Sequence, residues 1–173
     1  MSWSLNDTGK SRVAALVESG VLRGTNRVVS SAETKAIETA EPLANRLGCE
    51  LEIRQLMHEN DRSSTGFLPP QEFEAVADQF FAEPAVSVRG WETARQAQGR
   101  IVSEVEYCLD QPASGDVLFV GHGGVGTLLL CHLLSVPISR DLDQGAGGGG
   151  NFFRFSIDSR EVLNRWLPME RMA

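Results

Sequence analysis

The chain has 173 residues, 42% of them hydrophobic and 23% charged, with a formal net charge of −7 at pH 7. That length and balance predict one globular domain, 1–173, with a sizeable core. The acidic field argues against partners such as nucleic acid or an anionic membrane. No apolar run reaches bilayer length, and Met1-Ser2-Trp3-Ser4 does not read as a signal peptide, so a cytoplasmic protein is expected.

In chain order, Asn6-Asp7-Thr8 is a capping signal for a helix that carries Val13, Leu16 and Val17 and ends at Gly20. Arg27 to Ser30 reads as a short strand. Ser30 and Glu33 have capping-box spacing, and Ala36, Ile37, Ala40, Leu43, Ala44 and Leu47 then repeat at helical intervals up to Gly48. Glu50 to Arg54 alternates as a strand. His58 to Pro70 is polar and reads as a functional loop. Pro70 opens a helix bearing Phe73, Val76, Ala77, Phe80 and Phe81. A long amphipathic helix is predicted from about Trp91 to Leu109, with Arg100 read as an ordinary exposed residue on it.

Asp116 to Leu130 is the most informative stretch. Val117 to Val120 form a buried strand that runs into Gly121-His122-Gly123-Gly124, and a helix ending near Leu134 follows. A helix start preceded by small residues presents free N–H groups and a positive dipole end, which suits an anion, above all phosphate. A histidine at the C-terminal end of a parallel strand stands where open α/β sheets place ligands. Beyond the glycine-rich Asp141–Gly150 loop, Phe152–Ile157 and Val162–Leu167 read as a terminal hairpin. The pattern predicts an α/β three-layer sandwich with a mostly parallel sheet and a C-terminal antiparallel hairpin. In it, the Ser30-Ser31 and Gly121-His122 junctions share one sheet edge. Cys49, Cys108 and Cys131 lack CxxC spacing and read as core thiols of a reducing compartment. The histidines, His58, His122 and His132, are too scattered for a metal site, so neither metal nor other cofactor is expected.

Val29-Ser30-Ser31-Ala32-Glu33-Thr34-Lys35-Ala36-Ile37-Glu38-Thr39-Ala40 resembles the "SSPLxRAxQTA" segment of the histidine phosphatase (phosphoglycerate mutase-like) superfamily. Val120-Gly121-His122-Gly123-Gly124 is similar to that family's second histidine motif. Leu5 to Gly9 is similar to its "LTxxG" stretch, and Glu59 follows the predicted strand after which the family carries its proton-donating acid. The resemblance implies a phosphoglycerate mutase-like fold and a lineage that hydrolyses or transfers phosphoryl groups of small phosphomonoesters. It implies catalytic roles for His122 as electrostatic stabiliser and Glu59 as acid. Phosphate contacts would come from Lys35, Ser30, Gly123 and Arg62, and the partner would be a small phosphorylated molecule or inorganic phosphate.

The sequence departs from the family pattern in two ways. It contains no Arg-His-Gly motif, which carries the family's nucleophilic histidine, and Lys35 stands where an arginine is usual. A lysine offers a point charge instead of a bidentate fork. The expectation is a chain N-terminally truncated relative to the family, its first strand missing, and inactive for want of the nucleophile. Val117–Val120 would then be an unpaired edge covered by another strand or by a second copy in a homodimer. Two alternatives stand beside this reading. One is a non-catalytic anion-binding or interaction domain on the same fold. The other is a dinucleotide-binding Rossmann domain, because Gly121 to Gly126 satisfies G-x-G-x-x-G and Asp141 lies twenty residues after Gly121.

Overall fold

The computed structural model describes residues 3–112, 114–145 and 148–172. Helix α1 (Asp7–Ser19) starts where Asn6 accepts the Gly9 N–H at 2.8 Å and stops at Gly20, whose φ of 66° is left-handed. Strand β1 (Thr25–Ser31) leads to α2 (Thr34–Leu47), and β2 (Leu51–Arg54) follows. The expected Ser30–Glu33 capping box does not form. Glu33 is itself the residue preceding α2, and its N–H donates to Ser31 Oγ at 3.2 Å.

Helix α3 (Pro70–Ala82) opens on a proline, whose missing N–H would have no partner in the first turn. Helix α4 (Ala94–Leu109) begins three residues later than expected from Trp91, because Thr93 and Gln96 form a reciprocal capping box. Strand β3 (Asp116–Val120) and α5 (Gly123–Leu133) make the anticipated strand–turn–helix, and β4 (Asn151–Phe155) pairs antiparallel with β5 (Val162–Pro168). Ala146 and Gly147 of the glycine-rich loop lie outside the described residues. Among those described, no helix is long and apolar enough to cross a membrane.

The main sheet is parallel throughout, in the order β2-β1-β3. Its alternation builds the layers. Val28, Leu118 and Val120 pack with Ala40 and Ala44 of α2, whereas Val29, Val117 and Phe119 pack with α3, α4 and α5. The second cluster is the larger core and contains Phe80, Trp91, Ile101 and Leu128. Cys108 and Cys131 are buried as expected, and Cys49 is half-buried.

Among the described residues, strand β3 pairs with β1 on one side only, and β4 pairs with β5 only. Between them runs a groove of about 1800 Å³, lined by consecutive residues of both strands, Val117–Val120 and Phe152–Phe155. Consecutive lining residues mean that strand edges, not faces, form these walls. Among the described residues no other strand of the chain enters the groove, so coverage of the edge from within the chain is corrected. At the end of the groove near Gly123, Arg12 donates to the Gly149 and Gly150 carbonyls at 2.6 and 2.9 Å and pairs with Glu170 at 2.5 Å, and the adjoining Asn151 donates to Gln144 Oε1 at 2.9 Å.

Candidate phosphate site

Because β1, β2 and β3 are parallel and in register, the segments that follow them converge. Ser31 ends β1, and Glu33 and Lys35 follow it; Glu59 comes after β2 and a short 3-10 turn; His122 comes after β3. His122 is 8% exposed, and its Nε2 lies 2.8 Å from Ser31 Oγ and 3.3 Å from Glu33 Oε1. Its Nδ1 is buried without a protein partner. Burial pushes the imidazole below its ordinary pKa; the carboxylates of Glu59 and Glu33 pull the other way but do not cancel it. His122 is therefore a neutral ring at neutral pH.

Glu59 occupies the start of α5. Its Oε2 accepts the Gly124 N–H at 3.0 Å and its Oε1 accepts the Val125 N–H at 2.9 Å. Its own N–H donates to Glu33 Oε1 at 2.8 Å. The anion anticipated at this helix start is thus supplied, in part, by the protein itself. Both oxygens act as acceptors, so a proton-donating role requires the carboxyl to leave these N–H groups. The glycines permit the approach. A Cβ on Gly124 would meet Glu59 Oε1 at 2.7 Å, and one on Gly123 would collide with the Gln144 amide.

Lys35, in the first turn of α2, lines the same groove, as do Gly123, Asn60 and Arg62. The Arg62 guanidinium lies 5.1 Å from the Phe73 ring centre and 5.7 Å from that of Trp91. Among the described residues neither Lys35 nor Arg62 has an acidic partner within salt-bridge distance, which leaves two cations facing the groove. Ser30 does not join them. Both serines are wholly buried, but strand alternation points them to opposite faces: Ser30 donates to the Ser31 carbonyl at 2.9 Å, and Ser31 is the serine that reaches His122.

The Rossmann alternative fails on topology. After α5 the chain forms a 3-10 turn containing Asp141, not a second parallel strand. The histidine phosphatase superfamily (branch 1) model matches residues 2–147. The chain belongs to that superfamily.

Solved structures with the same fold include a mycobacterial glucosyl-3-phosphoglycerate phosphatase in complex with inorganic phosphate. It is 21% identical, with a TM-score of 0.74 over 95% of this chain and 84% of the other. A Bacillus stearothermophilus protein, YhfR, is 16% identical with a TM-score of 0.73 over 93% and 82% of the two chains. A variant phosphoserine phosphatase from Entamoeba histolytica, in complex with phosphoserine, is 14% identical with a TM-score of 0.73 over 94% and 83%. No curated protein matches by sequence.

Within this histidine phosphatase fold, two residues of the site escaped the sequence reading. Glu33 looked like half of a capping box, yet its carboxylate links His122 to the Glu59 backbone. Arg100 looked like an exposed helical residue, yet its side chain is 12% exposed and donates to the Leu56 and His58 carbonyls at 2.7 and 2.9 Å. The available signal was its place three residues from Ala97, beside the buried stripe of α4. Arg89, in contrast, pairs with Glu72 and does not line the groove.

Proposed function

We propose that this chain binds inorganic phosphate or the phosphoryl group of a small phosphomonoester at the C-terminal end of its parallel sheet. The observation that carries this is the presence of two cations without acidic partners, Lys35 and Arg62, in the groove that also holds His122, Gly123 and Glu59. Lys35 and Arg62 supply charge to phosphoryl oxygens, Gly123 a close backbone approach, and His122 a ring nitrogen. Glu59, whose oxygens accept the Gly124 and Val125 N–H groups, is a carboxylate beside that position. Membership of the superfamily and the phosphate-bound and phosphoserine-bound neighbours support a phosphoryl-processing lineage.

Within these residues, phosphate binding proceeds without a phosphohistidine. His58 Nδ1 is engaged with the Glu59 carbonyl at 2.6 Å, and His132 sits in the last turn of α5, away from the site. Neither replaces the nucleophile of an Arg-His-Gly motif. The free thiols Cys49, Cys108 and Cys131 fit a reducing compartment such as the cytoplasm.

Titration of the ¹⁵N-labelled chain with inorganic phosphate tests the reading. The His122, Gly123 and Lys35 amides should shift together and saturably; no shift at any of them sinks the proposal. A phosphatase assay of the same protein should give no turnover, and hydrolysis of a phosphomonoester would refute the non-catalytic part.

The groove between β3 and β4 supports a second reading, in which a further strand from another copy completes the sheet in a homodimer. A strand seated there would meet Val13 and Leu16 of α1 and Ile101 and Val105 of α4, so both its faces would be apolar, as central parallel strands are. Sedimentation should show a dimer; a monomer across the accessible concentration range removes this reading.

A further inference from the structure

The Arg100 guanidinium has five N–H donors, and all five are used. Nη1 donates to the carbonyls of Leu56 at 2.7 Å and His58 at 2.9 Å, and Nη2 donates to the Glu59 carbonyl at 3.4 Å. The other edge is held by Glu92, with Nε to Oε1 at 3.0 Å and Nη2 to Oε2 at 2.7 Å. The two side chains are 12% and 16% exposed. Three carbonyls turned toward one point repel each other unless a cation sits between them, and a cation so enclosed needs a counter-charge. Glu92 provides it: burial raises its pKa, but hydrogen bonds from Arg100 and the Asp61 N–H outweigh burial and hold the carboxyl below its ordinary value. Glu92 also closes the loop beyond Glu59, accepting the Asp61 N–H at 3.2 Å while its own N–H donates to the Asp61 carbonyl at 2.9 Å.

We propose that Arg100, held by Glu92, is the positioning residue of Glu59. By gathering the carbonyls of Leu56, His58 and Glu59, it fixes the backbone from which the Glu59 carboxylate reaches the Gly124 and Val125 N–H groups. The inference rests on Glu59 as the carboxylate of the proposed phosphate site. Its consequence is that the segment leading into α4 and the carboxylate at the start of α5 are mechanically linked: a displacement of Glu92 is a displacement of Glu59. Lysine cannot substitute fully, having three donors and no planar fork.

The test uses the ligand-free, ¹⁵N-labelled chain and reads the Gly124 and Val125 amides, with Glu59→Gln as reference. Arg100→Met should shift both amides in the direction given by Glu59→Gln and speed their hydrogen exchange roughly tenfold, as expected for a lost charge-assisted bond. Adding Glu59→Gln to Arg100→Met should move them no further, and Arg100→Lys should fall between. If Arg100→Met does not fold, Arg100→Lys and Glu92→Gln, which retain volume, make the same comparison. Amides of 56–61 that move while Gly124 and Val125 stay fixed in a folded variant would make Arg100 a loop anchor only and overturn the proposal. The readout needs no phosphate, so failure of phosphate to bind would sink the functional reading and leave this comparison standing.

Discussion

Glu59 Oε2 accepts the N–H of Gly124 at 3.0 Å across 65 residues of sequence. This contact puts a carboxylate at a helix start that would otherwise invite an external anion. It stabilises the fold and, on the proposed function, would compete with phosphate at the same place.

Replacing Glu59 with glutamine separates these two effects. The charge-assisted contacts to Gly124 and Val125 weaken, and stability should fall by about 1 kcal/mol in urea denaturation. Phosphate affinity should rise several-fold, because a negative charge a few ångströms away costs on the order of 1 kcal/mol or more at a half-exposed site. Weaker phosphate binding in Glu59→Gln would show that the carboxylate assists the anion and does not oppose it.

Lys35→Met should lower phosphate affinity roughly tenfold, the scale of one hydrogen bond to a charged group. Lys35→Arg should retain affinity or improve it by offering a fork. Calorimetric titration distinguishes these outcomes, and equal affinity in all three proteins would remove Lys35 from the site.

Two helical glycines should respond to alanine with opposite signs. Gly99 in α4 has nothing within 4 Å of a prospective Cβ, so Gly99→Ala should stabilise by about 0.5–1 kcal/mol through helix propensity. In α5, a Cβ on Gly126 would lie 2.9 and 3.0 Å from Trp166 ring carbons, so Gly126→Ala should destabilise by about 1–3 kcal/mol. Thermal melts of both variants check the pair.

His122 predicts a pH dependence of known sign. Its folded pKa lies below the ordinary value, so the unfolded chain binds the proton first as pH falls. Its contribution to stability is complete above about pH 6.5 and is lost as pH falls toward the folded pKa. In denaturation curves taken from pH 8 to pH 5, His122→Gln should lose less stability than the parent over that window. An unchanged slope would mean that another group carries the acid sensitivity.

Much of the fold is legible because it is local. Asn6, Gly20, Gly48 and Pro70 mark helix ends through their own backbone preferences, and Val117 to Val120 mark a strand with apolar neighbours on both faces, although it is half-buried and not the buried strand expected. The same locality explains the misses. Ser30 and Ser31 are both buried polar residues at a strand end, and the alternation that points one to the Ser31 carbonyl and the other to His122 depends on the strand's place in the sheet. Arg100 carries no mark in its own helix of the carbonyls it binds, because those come from a loop about forty residues earlier.

The sequence by itself determined the element order, the parallel α/β class, the glycine turn that presents His122, and the superfamily, since each rests on short-range periodicity or on motifs a few residues long. Only the tertiary structure decided that Glu59 fills the start of α5, that Glu33 joins His122 to Glu59, that Arg100 holds the loop, and that β4 forms the far wall of the vacancy beside β3. Those facts depend on parallel register and on the distance between segments far apart in the chain, which no local preference encodes.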